Sequence, residues 1–339
     1  MKVFAVLALM LGLCVVTLIV GHYGFAAVGS ALLSVGWTGF LAILLIHIGV
    51  MVLFGTCWWI LLPPGDRPSP WVFVWSRFVR DGGSEALPLS QVAGYVLGAR
   101  AAILAGLAAP MAIASTVVDV TMELLAQLAY TALGVTLLSA LRPKSGFTTP
   151  IMIGLGGALV ISILFIAAQQ RGFGLLERLA HGLARRWAAV AAASAAAIQA
   201  AIGAIYRRRG GLLAGFALHL ICWILGAVEP WLALRWMGAP LAFEPVLAIE
   251  SLLYAVRSVG FAIPDALGIQ EGAYILLCGL FGIAPEVALS LSLLKRARDL
   301  SLGVPALLTW QLMETGRAWR RRADPVEQAA APLRPPARP

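Results

Sequence analysis

Leu87-Pro88-Leu89-Ser90-Gln91-Val92-Ala93-Gly94, followed by Gly98-Ala99-Arg100, decides how this sequence must be read, because a second stretch repeats its plan. Ile263-Pro264-Asp265-Ala266-Leu267-Gly268-Ile269-Gln270-Glu271-Gly272 again sets a proline and glycines into sequence of membrane-interior character. Each stretch leads through small and apolar residues to a second proline, at Ala109-Pro110 and Ala284-Pro285. Each then opens a long helix with charges about three turns in: Asp119 and Glu123 in the first, Lys295, Arg296, Arg298 and Asp299 in the second. Hydrophobic segments interrupted by Gly and Pro at matching places in two halves are the sequence mark of a transport site.

Composition fixes the class. Of 339 residues, 60% are hydrophobic and 12% charged, against about 25% charged in a soluble domain. Apolar runs of spanning length recur throughout, so the expected fold is an all-α polytopic membrane protein. The opening Met1-Lys2 and the run Val3 to Val20 exceed a signal peptide's apolar core of roughly 7–15 residues and read as a retained first helix. Cys14, Cys57, Cys222 and Cys278 all lie in apolar segments without a CxxC pair, so neither a disulfide framework nor a zinc site is expected. His22, His47, His181 and His219 lack metal-ligand spacing. Nucleotide-binding and hydrolase motifs are missing from the sequence, and no cofactor or metal is expected.

The net charge of +9 comes from clusters outside the apolar runs. Segment 171–209 carries seven arginines, from Arg171 to Arg209, against Glu177 alone, and Arg317, Arg320, Arg321 and Arg322 begin a basic, Pro/Ala-rich tail over 316–339. In a membrane protein such clusters signify positive-inside bias and contact with anionic headgroups rather than nucleic acid. The tail composition predicts disorder. Leu175, Leu176, Leu179, Leu183 and Trp187 recur at helical spacing opposite Arg178, Arg185 and Arg186, as in a helix lying in the headgroup plane. The Ala-rich run 188–204 either extends that helix or dips into the bilayer.

About six full spans are expected, at 3–21, 37–62, 110–141, 150–168, 212–237 and 287–311, each long enough for about 30 Å of hydrocarbon. The intervals 71–107 and 245–284 are expected to be re-entrant or broken hairpins. With a cytoplasmic N-terminus, the second span returns the chain near Asp66, Arg67, Arg77 and Arg80. A hairpin at 71–107 then keeps 171–209 cytoplasmic, and one at 245–284, entering from outside, keeps the tail cytoplasmic. A span–hairpin–span unit thus occurs twice, over 37–141 and 212–311, in opposite orientations, within one transmembrane domain over 1–315. Irregular backbone at membrane depth needs protein or a wet cavity around it, so tips at Pro88, Gly94, Pro264 and Gly268 imply a cavity. The alternative is two ordinary helices kinked by proline.

Ionisable groups at membrane depth cost about 2.5–3.5 kcal/mol each. Ser115, Asp119, Glu123 and Gln127 step by four along one helix face, Glu250, Tyr254 and Arg257 mark a second, and Ser292, Lys295, Arg298 and Asp299 a third, with Arg296 beside it. Arg100, Asp265, Gln270 and Glu271 lie near the hairpins. Two readings stand: structural ion pairs, with Asp119 and Glu123 neutralising Lys295 and Arg298, or a hydrophilic path for a lipid headgroup. Glu229 and Arg235, beside Trp231 and Trp236, read as interfacial anchors.

The pattern Leu97-Gly98-Ala99-Arg100, Ala114-Ser115-Thr116-Val117-Val118-Asp119-Val120-Thr121-Met122-Glu123, Pro264, Gly268-Ile269-Gln270-Glu271-Gly272 and Lys295-Arg296-Ala297-Arg298-Asp299 resembles the hopanoid biosynthesis-associated membrane proteins. They fall within the wider set sharing the flippase-like transmembrane domain of lysylphosphatidylglycerol synthases. The resemblance runs from about residue 3 to 315. It implies a bacterial inner-membrane protein, both termini cytoplasmic, that moves a lipid between leaflets, with membrane lipids and hopanoid-pathway proteins as partners. The full synthases carry a soluble aminoacyl-transferase domain after the membrane part; this sequence ends about 28 residues past its last span, so lipid aminoacylation is not expected of it. The family often has a glycine pair after the hairpin proline, where this chain has Asp265 and Ala266. The leading expectation is a lipid translocase, with Asp119, Glu123, Lys295, Arg296 and Arg298 along the path and Arg100, Arg257 and Glu271 near the tips. The alternatives are a headgroup-modifying enzyme using Asp119, Glu123 or Glu271 as general base, and a scaffold for hopanoid-pathway enzymes.

Overall fold

The computed structural model describes residues 25–86, 90–143, 148–171, 185–259 and 266–323. The expected first span, the tips with Pro88, Pro264 and Asp265, residues 172–184 of the basic segment and the tail beyond 323 lie outside these. The described residues are helical, with no strand among them. In chain order they form α1 (Phe25–Leu33), α2 (Gly36–Leu61), α3 (Pro70–Ala86), α4 (Ser90–Leu104), α5 (Ala109–Leu141), α6 (Thr148–Arg171) and α7 (Arg185–Tyr206). There follow α8 (Arg209–Gly226), α9 (Val228–Trp236), α10 (Phe243–Val259), α11 (Ile269–Gly279) and α12 (Pro285–Ala323).

Three segments combine length and apolarity enough to cross a bilayer: Gly36–Leu61, Ala109–Leu141 and Arg209–Trp236, of 26, 33 and 28 residues. At 1.5 Å per residue each exceeds about 30 Å. The expected spans at 150–168 and 287–311 are helical, within α6 and α12. The interval 71–107 is a pair of helices, α3 of 17 residues and α4 of 15, each about 22–26 Å long and so short of full hydrocarbon thickness. The interval 245–284 likewise divides into α10 and the shorter α11.

The returning arms α4 and α11 stop in the same way. Gly106 (φ 104°) and Gly282 (φ 79°) take the left-handed conformation. The next residue's N–H reaches five residues back, Leu107 to Ala102 and Ile283 to Cys278. This glycine stop satisfies carbonyls that the helix end leaves open. Pro110 and Pro285 then stand in the first turns of α5 and α12, where the missing N–H costs nothing.

Glycines set the close crossings. A Cβ on Gly94 would lie 2.4 Å from the Arg80 carbonyl oxygen, and one on Gly98 2.9 Å from Arg80 Cβ, so a GxxxG face of α4 seats α3 at backbone contact. Gly55 brings α2 onto α3, where its Cβ would stand 2.5 Å from Val74 Cα. Gly82 of α3 meets Gly303 of α12, and Gly134 of α5 meets Ser251 of α10. Thus α3 lies against α12 and α10 against α5. Meanwhile α2 and α8 pack together near the centre. Within the Ala-rich run, α7 packs on α5, burying Ile202 and Ile205 with Ala114, Val118 and Met122.

Gly94→Ala is expected to destabilise the fold by about 1–3 kcal/mol through overpacking. Gly49→Ala, where nothing lies within 4 Å, should be neutral or slightly stabilising. Thermal unfolding of the two variants in detergent checks this.

Candidate functional site

Residues of the helix pair α3–α4, of α10 and of the approach to α11 line a cavity of about 310 Å³. Ser84, Glu85, Gln91 and Tyr95, from either side of the first tip, line it together with Arg257, Ser258 and Ala266, from either side of the second. Trp223 and Tyr254, in edge contact with centroids 4.5 Å apart, form part of its wall, and Gln127 donates to Ser258 Oγ at 2.9 Å. Two buried charge clusters complete the lining.

The first cluster joins α3 to α5. Arg77 donates from Nη2 to Glu123 Oε1 at 2.7 Å and from Nη1 to Oε2 at 3.1 Å, a bidentate pair. Arg80 donates to Asp119 Oδ2 at 2.8 Å and also to Glu123. Arg77 Nε holds Asp81 at 3.0 Å. The guanidiniums lie over aromatic faces, Arg77 4.3 Å from the Phe54 centroid and Arg80 4.5 Å from that of Tyr95, which favours arginine over lysine here. The expected partners were Lys295 and Arg298; the structure pairs Asp119 and Glu123 with Arg77 and Arg80 instead. These arginines, read as flanking charges from the sequence, are only 5% and 2% exposed.

The second cluster joins α12 to α9 and α2. Arg298 bonds Glu229 and, through Nε, Asp299 Oδ1 at 2.8 Å, while His47 Nδ1 lies 2.9 Å from Glu229 Oε1. Glu229 is 2% exposed and lines the cavity, so the interfacial reading of this residue is corrected. Arg235 fits the anchoring role, exposed and 5.0 Å from the Trp231 centroid.

The remaining site candidates separate into other places. Lys295 Nζ donates to Glu250 at 2.7 Å, and Tyr274 donates to the other oxygen of the same carboxylate, away from the cavity lining. Glu271 caps the start of α11 by accepting the Gly268 N–H at 2.8 Å. It also accepts from Arg296 Nε at 2.6 Å and from Ser292, to which Gln270 donates. This network fixes the chain immediately after the second tip. Ser115 accepts the Trp58 indole N–H at 3.0 Å in the core. Arg100 pairs with Glu314, both over a third exposed. It sits near the far end of α4 from the tip, not beside it as expected. Of the expected path, Glu123, Arg257, Arg298 and Asp299 face the cavity, with Asp119 just behind.

Asp119, Glu123 and His219 bring donor atoms within 4.8 Å of one another. Both oxygens of Glu123 already accept from guanidiniums, and two arginines at bonding distance oppose a dication, so the chemistry of this group does not suit a metal. Residues missed from sequence were Arg77, Arg80, His47, Glu229 and His219. The available signal was a polar residue isolated in an apolar run, strongest at His219.

The chain belongs to the family described as the lysylphosphatidylglycerol synthase TM region, which it matches over residues 4–306. It is accordingly a membrane protein of a family tied to lipid modification and flippase-like function. No curated protein and no solved structure matches it.

Arg77→Met should cost about 3–5 kcal/mol, because it leaves the buried Glu123 carboxylate short of its bidentate partner, and adding Glu123→Leu should recover most of that loss. Arg100→Met removes an exposed pair and should cost under about 1 kcal/mol. Denaturation midpoints of the three variants in one detergent test the ordering.

Proposed function

We propose that this chain is a lipid translocase, and that the cavity between the hairpin tips takes the headgroup while the acyl or polycyclic tail stays in the bilayer. The observation that carries this is the convergence of residues flanking both tips, with four guanidiniums and five carboxylates, on one cavity between apolar helices. Packing alone would be served by pairs buried at helix contacts, as Lys295 and Glu250 are. A lining of both signs suits a headgroup bearing a phosphate and an ammonium, each met by side chains of opposite charge. Trp223 and Tyr254 add aromatic faces for the cationic part.

In this reading the two span–hairpin–span units form an inverted repeat in the bacterial inner membrane, with both termini cytoplasmic. The reciprocal packing of α3 on α12 and α10 on α5 and the matched glycine stops before Pro110 and Pro285 support it. Each helix pair then gives access to the cavity from one leaflet, as in alternating access around a fixed site. The family resemblance makes hopanoids candidate cargo beside phospholipids. Headgroup modification has less support: a general base needs a free carboxylate at the cavity, whereas Glu123 and Glu271 are held by arginines and Asp119, bonded to Arg80, is not part of the lining.

Reconstituted protein with trace fluorescent lipids should give dithionite-accessible probe exchange between leaflets. Arg298→Gln and Glu123→Gln, read on protein that remains monodisperse, should slow it at least about tenfold, a loss of roughly 1.4 kcal/mol. Arg100→Gln should move lipid at the wild-type rate. Absence of exchange for every headgroup, together with a new modified lipid species in the vesicles, would replace this reading with the enzymatic one.

A further inference from the structure

We propose that Asp119 and His219 together hold one exchangeable proton directly behind the cavity, and that its presence or absence sets how firmly Arg80 is held. His219 stands on α8 and is fully buried, as is Asp119 on α5. Its Nδ1 lies 2.8 Å from the Gly215 carbonyl oxygen, one turn back. A carbonyl only accepts, so Nδ1 carries the hydrogen and donates it. Nε2 is left facing Asp119 Oδ1 at 3.4 Å, and neither atom has a hydrogen-bond partner.

Without a proton between them, two acceptor lone pairs oppose each other where no solvent reaches, an arrangement that buried polar groups avoid. One proton, with the 3.4 Å separation drawn in to hydrogen-bond distance, would satisfy both atoms, whether it resides on Nε2 as imidazolium or on Oδ1 as a neutral acid. The surrounding charges ask for the same count. On α3, Arg77 is divided between Glu123 and Asp81, and Arg80 between Asp119 and Glu123. Three carboxylates on two guanidiniums leave one negative charge; Asp81 and Asp119 each put a single oxygen on an arginine, but Asp81 is partly exposed on the cavity wall whereas Asp119 is fully buried. The other titratable groups facing this cluster are Tyr95 on α4, stacked on Arg80, Cys57 on α2 and Cys222 on α8. None of them supplies a positive charge. Phe54 packs against the imidazole with centroids 5.7 Å apart.

Glu123 lines the cavity and shares Arg80 with Asp119. With the proton present, His219 shares the carboxylate, and Arg80, on the cavity wall and still bonded to Glu123, is held less firmly in competition with an anionic headgroup. With the proton gone, the whole Asp119 charge pulls Arg80 back. This consequence rests on the translocase reading; the proton site does not.

The full chain, labelled with ¹⁵N-histidine and held in lipid nanodiscs, would be followed by solid-state NMR from about pH 5 to 8, the range in which imidazole changes charge. His219→Gln assigns the signal. The proposal expects the His219 resonances to change in one step whose midpoint moves in Asp119→Asn. A His219 Nε2 resonance that stays that of an unbonded neutral acceptor at every pH, or that is the same in Asp119→Asn, overturns it. In proteoliposomes, an imposed pH gradient should change the initial translocation rate by at least about fivefold, the scale of an ordinary coupling energy, and the ratio should fall to about one in His219→Gln. Lipid movement indifferent to the gradient removes the coupling and leaves the translocase standing. No movement of any lipid removes the translocase, while the NMR titration still decides the proton site.

Discussion

The buried arginine–carboxylate pairing between α3 and α5 is the constraint on which the other parts of this structure depend. A guanidinium or carboxylate in an apolar helix bundle is tolerable only with a partner at hydrogen-bond distance. Arg77 and Arg80 meet that demand only if α3, packed on α2, α4 and α12, holds its two arginines level with Asp119 and Glu123 so that the side chains reach across to α5. The register in turn needs α4 at backbone distance, since Gly94 and Gly98 lie against Arg80 and its neighbours. The glycines thus serve the ion pairs: a bulkier face on α4 would displace the helix that carries both arginines.

The same logic operates across the second cluster. Arg298 and Asp299 sit about three turns into α12 and reach Glu229 on the short α9, with His47 of α2 bonding the same carboxylate. The two clusters therefore brace opposite sides of one cavity, using elements from both halves of the sequence. Charges that serve packing alone are distinguishable from these by position. Lys295 with Glu250, and Arg296 with Glu271, are saturated within α10–α12 and do not face the cavity.

Much of the helical architecture was legible in the sequence because it follows from local chemistry. Pro110, Pro285, Gly106 and Gly282 punctuate helices by their own backbone preferences, and the apolar runs of α2, α5 and α8 to α9 announce themselves by length. Which charge meets which was not legible, because partners on different helices depend on rotation and depth that no short pattern encodes. Asp119 and Glu123 were correctly grouped on one face, but the ion-pair reading offered them partners on α12 where the structure places Arg77 and Arg80 of α3. Arg77 and Arg80 lie among Trp75, Ser76 and Gly82, a mixture that reads as membrane edge until α3 is seen packed between α2, α4 and α12. Glu229 was misread for a related reason: Trp231 and Trp236 suggest an interface, whereas the break at Ala227 turns the carboxylate inward.

The central claim is that a lipid headgroup enters the cavity between the helix pairs α3–α4 and α10–α11, and photo-cross-linking tests it most directly. A phospholipid with a photoactivatable group on its headgroup would be incorporated with the protein in nanodiscs, irradiated, and the adducts located by mass spectrometry. The account predicts adducts on cavity residues such as Gln127, Trp223 and Tyr254, suppressed by excess unlabelled lipid of the same headgroup. Adducts confined to outward-facing residues such as Trp37 and Leu213, which are 82% and 69% exposed, would contradict it.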